Sequence, residues 1–144
     1  MTTDQIIARL QAILENELAG AMMYLHYSFY VYGHARIPIT SWLRSQSSEG
    51  MDHATLVGDK IAAFGGSPTT FPAANKFAPR FESLDDMLRQ ALAVEKEVFN
   101  QYISLARDLG DEHVGLRLFL EAQATEETGH IEEVEAMLKP DSVR

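Results

Sequence analysis

The chain has 144 residues, 46% hydrophobic and 23% charged, with a net charge of −9 and no cysteine. That balance suits one globular domain over residues 1–144 and excludes a disordered chain. The lack of cysteine excludes disulfides, thiolate zinc sites, iron–sulfur clusters and cysteine nucleophiles, while the acid excess disfavours nucleic acid as a partner and suits metal cations.

Thr2 and Asp4 are placed to cap a first helix, in which Ile6, Ile7, Leu10, Ile13, Leu14, Leu18, Ala21 and Leu25 recur at helical spacing until Gly33. Pro38 and Thr40 precede a second pattern of Trp42, Leu43, Leu56, Val57, Ile61 and Phe64, which Gly65 and Gly66 end. Residues 66–82 hold Pro68, Pro72 and Pro79 without periodicity and predict a long connection. Ser83 caps a third helix with Asp86 three residues on, and its stripe runs through Leu84, Met87, Leu88, Ala91, Val98, Leu105 and Leu109 to Gly110. The fourth spans about 112–139, with Leu116, Phe119, Leu120, Val134 and Met137 on its stripe and Pro140 after it.

No strand pattern competes. Four helices of roughly 25 residues are each about 37 Å long. Short loops make antiparallel pairs of one with two and three with four, and the long connection spans the bundle end to end. The expected fold is all-α, a four-helix bundle with one long crossover between helices two and three. No apolar stretch approaches the ~18 residues of a membrane span, and the N-terminus lacks a basic region followed by an apolar run. Neither a membrane partner nor a signal peptide is expected, and the expected localisation is cytoplasmic.

Residues foreign to a core interrupt the stripes. The first carries Glu17 and Tyr24, the second Gln46, Glu49 and His53, the third Glu95 and Tyr102, and the fourth Gln123, Glu127 and His130. Every helix sends one carboxylate inward, and two send a histidine. Converging buried carboxylates repel one another, and a cation is the simplest compensation. With helices one and four rising and two and three falling, Glu17, Glu49, His53, Glu95, Glu127 and His130 all lie about 16–27 Å from one end. One or two ions fit that level, and oxygen plus imidazole donors suit iron, manganese or zinc. Glu15, Glu97, Glu126, Glu132 and Glu133 fall off the stripes and are expected to be solvated.

The two halves echo one another. Glu17 and Glu95, Tyr24 and Tyr102, and Glu49 and Glu127 are each separated by 78 residues. The histidines miss by one, so Glu127 and His130 are an i,i+3 pair whereas Glu49 and His53 are an i,i+4 pair. Either spacing keeps both side chains on one helix face. The extra residue predicts a π-bulge near Gly50.

A Glu on helix one with Tyr24 seven residues on, a Glu–His pair on helix two, a Glu on helix three and Glu127-Thr128-Gly129-His130 on helix four resemble the ligand set of the ferritin-like superfamily, specifically its bacterioferritin branch. The resemblance covers nearly the whole chain. It implies a di-iron ferroxidase, with Glu17 and Glu95 as terminal ligands, Glu49 and Glu127 as bridging carboxylates, and His53 and His130 as nitrogen ligands. Two departures stand out. Alignment on His53 puts Gly50 where the family's bridging Glu usually sits, so either Glu49 substitutes or the site is asymmetric. Only 14 residues follow His130, leaving no room for the fifth helix of 24-subunit cages. A homo-oligomeric 12-mer, the size of the DNA-protection (Dps) shells, is therefore favoured over a 24-mer. Bacterioferritins bind haem b through a methionine of helix two, and Met51 holds the similar position as a candidate haem ligand.

The function so implied is oxidation of Fe²⁺ by O₂ or H₂O₂ at an intra-subunit di-iron site, with ferric mineral stored in a hollow cage. The alternatives are peroxide detoxification at the same di-metal site without mineral, and a non-catalytic helical-bundle interaction protein.

Overall fold

The computed structural model describes residues 1–73 and 81–143 of the chain. Its helices are α1 (Thr3–Tyr27), α2 (Arg36–Ala63), α3 (Leu84–Asp108) and α4 (Val114–Met137), with a single 3₁₀ turn at Asp111–His113 before α4. No strand occurs among the described residues.

The ends follow local chemistry. At α1 the Thr2 hydroxyl accepts the Gln5 N–H (3.2 Å) while the Gln5 side chain accepts the Thr2 N–H (2.8 Å), a reciprocal cap for two otherwise unpaired donors. Helix α1 ends at Tyr27, short of Gly33, whose φ of 87° instead turns the loop toward α2. Helix α2 begins at Arg36, two residues before Pro38. Proline in the first turn gives up no bond, because that N–H has no intrahelical partner. At its other end Gly65 takes a φ of 86°, its N–H reaching the Ala62 carbonyl (3.0 Å) and that of Gly66 the Ile61 carbonyl (2.9 Å), a Schellman closure. Ser83 caps α3 by accepting the Asp86 N–H (3.1 Å).

Helix α1 packs on α2, α3 on α4, and α1 on α3. Arg9 pairs with Asp108 near one end of the α1–α3 seam and Tyr24 with Glu95 farther along it, so these two helices are antiparallel. The connection from α2 climbs α1: Thr69 N–H donates to Gln11 (3.0 Å), Ala73 N–H to the Glu15 carbonyl (2.9 Å), and Phe81 meets Tyr27 edge-on at 4.5 Å. Residues 74–80 of the predicted crossover lie outside the described residues. The fold is the all-α four-helix bundle with one long crossover that the periodicity predicts.

The predicted π-bulge is absent, since α2 is α-helical from Arg36 through Ala63. No bulge is needed, because residues three and four before His53 lie on either side of the same face. Gly50 and Glu49 divide those two directions. Gly50 turns toward α1, where a Cβ would stand 3.1 Å from Ala21 Cβ and 3.3 Å from its Cα. The Ser47 hydroxyl donates to the Ala21 carbonyl (2.7 Å) one turn earlier and holds the two helices together there.

Two apolar clusters fill the interior. One gathers Leu10, Ile13, Ile61, Tyr102, Leu105 and Leu120 with their neighbours, and the other Met23, Tyr27, Leu43, Met87 and Ala91 with theirs. A polar layer lies between them.

Candidate metal centre

That layer contains Glu17 from α1, Glu95 from α3 and Glu127 from α4, at 5%, 7% and 1% exposure. His53 of α2 and His130 of α4 close it, with ring centroids 5.7 Å apart and planes 13° from parallel. His53 Nδ1 lies 3.3 Å from Glu127 Oε1 and 3.7 Å from Glu17 Oε2. His130 Nδ1 lies 3.8 Å from Glu95 Oε2 and 3.8 Å from Glu127 Oε2. The donor atoms of Glu17, His53 and Glu127 come within 4.8 Å of one another, and so do those of Glu95, Glu127 and His130. Glu127 belongs to both trios.

Five of the six candidate ligands therefore converge. Glu49 does not join them. Its side chain is 46% exposed, and its Oε2 lies 2.7 Å from His130 Nε2, on the outer side of the ring. With Trp42, Gln46, Glu126 and Glu133 it lines a cleft between α2 and α4 that ends on His130. Met51 is half exposed on α2. Glu97, Glu126, Glu132 and Glu133 are exposed as their phase predicts, and Glu15 is half-buried.

Two tyrosines that interrupt the apolar stripes pair with the carboxylates. Tyr24 OH donates to Glu95 Oε1 at 2.6 Å, and Tyr102 OH to Glu17 Oε1 at 3.0 Å. Each half of the chain supplies the donor for the other half's carboxylate. The seven-residue step from Glu to Tyr, repeated in both halves, was the signal available in the sequence.

The electrostatics suit a site that a cation can balance. Burial, then the neighbouring Glu95 and Glu17, push the Glu127 carboxyl far up, so it holds a proton at neutral pH. Burial also acts to raise Glu95, but its contacts with Glu127, His130 and Tyr24 outweigh this and hold it at about 2. Glu95, then Glu49, lift His130 to about 9, and Glu17 raises His53, in each case against burial. Burial first, and then these carboxylates, push both tyrosine hydroxyls well above their usual range. Protons thus offset the negative charge. Glu127 Oε2 is nonetheless buried without a hydrogen-bond partner, which is costly unless something else binds it. Mixed carboxylate and imidazole donors with such an unsatisfied oxygen fit iron, manganese or zinc. The cavity between these side chains, about 20 Å³, is too small for an organic substrate.

The chain matches the family model of the ferritin-like domain over residues 7–141. Among solved structures it is similar to a ferritin-like, diiron-carboxylate protein from Bacillus anthracis str. Ames, with 27% identity and a TM-score of 0.87 over 96% of this chain and 100% of that one. It is similar in fold to a Rhodobacter capsulatus bacterioferritin with a metal-free dinuclear site and haem iron (22% identity, TM-score 0.81, 94% of this chain and 84% of that one). A dodecameric thioferritin from Bacteroides fragilis shares the fold as well (19% identity, TM-score 0.86, 96% and 86%). No curated protein matches the sequence.

Proposed function

The chain belongs to the ferritin-like family, and we propose on that footing that it is a ferroxidase that stores iron. The observation that carries this reading is that one buried carboxylate, Glu127, is shared by two donor trios between apolar clusters. Glu17, His53 and Glu127 would receive one Fe²⁺, and Glu95, Glu127 and His130 the other, as the substrate pair.

Each Fe²⁺ surrenders one electron. With O₂ as acceptor, two Fe²⁺ and two protons give two Fe³⁺ and H₂O₂, and with H₂O₂ as acceptor they give two Fe³⁺ and two waters. The chain's own groups prepare for this. Glu127 and His130 must give up their protons as the ions arrive. Tyr24 and Tyr102 hold the outer carboxylates in place, and the apolar clusters on both sides exclude bulk water. The acidic cleft of Glu49, Glu126 and Glu133 favours cations at the mouth.

Ferric product would collect inside a homo-oligomeric shell, for which the dodecameric relative favours 12 subunits over 24. No helix among the described residues is long and apolar enough to cross a membrane, in keeping with a cytoplasmic store. Haem b at an interface between copies would be ligated by half-exposed Met51, and a Soret band on reconstitution that is lost in Met51→Ala tests this.

The central test adds Fe²⁺ to the metal-free protein in air and follows ferric absorbance and particle size, beside His130→Ala. Rapid oxidation of about two Fe²⁺ per chain, lost in the variant and followed by a large iron-bearing particle, is expected. Consumption of H₂O₂ without stored iron would turn the reading to peroxide detoxification. Oxidation no faster than buffer would leave the bundle without a ferroxidase role.

A further inference from the structure

His130 is held between two acidic surroundings. Its Nδ1 faces the buried Glu95 and Glu127 oxygens at 3.8 Å, and its Nε2 faces Glu49 at 2.7 Å in the outer cleft. A neutral imidazole carries its hydrogen on one nitrogen and its lone pair on the other. An ion at the inner position needs the lone pair on Nδ1, which requires the hydrogen on Nε2, and Nε2 is the atom that Glu49 meets.

We propose that Glu49 is a positioning residue and not an ion ligand: it accepts the Nε2–H of His130 and so aims the Nδ1 lone pair at the Glu95–Glu127 ion position. This rests on the metal-centre reading above. Two further observations favour it. Glu49 stands outside both donor trios and is 46% exposed, whereas all three carboxylates of the trios are buried. Gly50, which does line the central cavity, has no side chain, and a Cβ there would crowd Ala21 at 3.1 Å. Helix α2 then offers the centre a single ligand, His53, and spends its acidic residue on the neighbouring helix's histidine. Outer partners of this kind orient a ligating ring and typically change metal affinity 10–100-fold.

The experiment is a calorimetric titration of the metal-free protein with Zn²⁺, which suits nitrogen and oxygen donors and undergoes no redox change. Wild type is compared with Glu49→Ala and Glu49→Gln, both at a half-exposed position that tolerates exchange. Two ions per chain are expected in all three, with one of them bound about 10–100-fold more weakly in Glu49→Ala and restored toward wild type in Glu49→Gln, whose carbonyl still accepts the hydrogen bond. Nitrogen-15 NMR of the zinc-loaded protein should show His130 metal-bound at Nδ1 and protonated at Nε2. Loss of one ion per chain in both variants would make Glu49 a ligand and overturn the proposal. Unchanged affinity in Glu49→Ala, or zinc on Nε2, would overturn it as well. A wild type that binds no ion would remove the metal centre itself, an outcome distinct from the others.

Discussion

Tyr24 donates its hydroxyl to Glu95 across the α1–α3 seam at 2.6 Å, and the 78-residue offset converts this pair into Tyr102 and Glu17 at 3.0 Å. The first bond is the shorter, and its acceptor is a carboxylate held at about 2, so it is charge-assisted and the stronger of the two by geometry. Tyr24→Phe is expected to lower the stability of the metal-free protein by about 1.5–3 kcal/mol, and Tyr102→Phe by less. Urea unfolding of the two variants beside wild type measures the difference.

Burial and the neighbouring carboxylates favour the neutral form of Glu127, and one of its oxygens has no hydrogen-bond partner. Glutamine has the same shape, is neutral at every pH, and its amide can donate to Glu17 or Glu95. Glu127→Gln should therefore raise the stability of the metal-free protein by roughly 1–3 kcal/mol, because folding no longer has to take up a proton. The same change removes the donor common to both trios, so ion binding should collapse. Thermal unfolding without metal and a Zn²⁺ titration would show opposite effects, and a loss in both would contradict this account.

Ion binding should release protons. At pH 7 the folded, metal-free chain holds one on Glu127 and one on His130, whose value is about 9. Ligands bind metal in their deprotonated forms, so affinity should rise with pH and the His130 contribution should level off above about 9. The His130 shift also sets a stability window for the metal-free protein. The folded value lies above the unfolded one of ~6.5, so the stabilisation is fully present below ~6.5 and is lost as pH rises through about 9. Calorimetry in two buffers of different ionisation enthalpy, at pH 7 and pH 9, counts the protons.

Gly50→Ala pits two effects against each other. Alanine in a helix interior is favoured over glycine by about 1 kcal/mol, whereas overpacking a tight contact costs about 1–3 kcal/mol. The new methyl would stand 3.1 Å from Ala21 Cβ and within 3.4 Å of Ala21 backbone atoms, which cannot swing aside as a long side chain could. Overpacking wins, and a net loss of about 1 kcal/mol is expected. A rise in melting temperature would show that α1 and α2 part more easily than the contact implies.

The sequence carried the architecture because its stripes were long and the breaks between them chemically plain. Gly65 and Gly66 close α2, and Ser83 caps α3. The inward carboxylates were legible because Glu17, Glu95 and Glu127 interrupt otherwise apolar faces. Glu49 was not, since a residue four before His53 shares its face yet points to the edge of it. Its 46% exposure depends on how close α4 lies, and no single helix records that distance. The cross-paired tyrosines escaped for the same reason: spacing placed Tyr24 and Tyr102 on the core faces, but their partners lie on another helix.

The contact between Gly50 and Ala21 also constrains the routes by which the sequence can change. A glutamate at position 50 would point at the cavity, yet its first carbon would stand 3.1 Å from the Ala21 methyl and force the two helices to shift. Ala21→Gly would relieve the nearest of these contacts, and alone it removes helix-favouring alanine with nothing gained. The two substitutions are coupled, each unfavourable without the other. An acidic residue at position 50 is thus reached only through a less stable intermediate, which is a barrier of sequence history and not of chemistry.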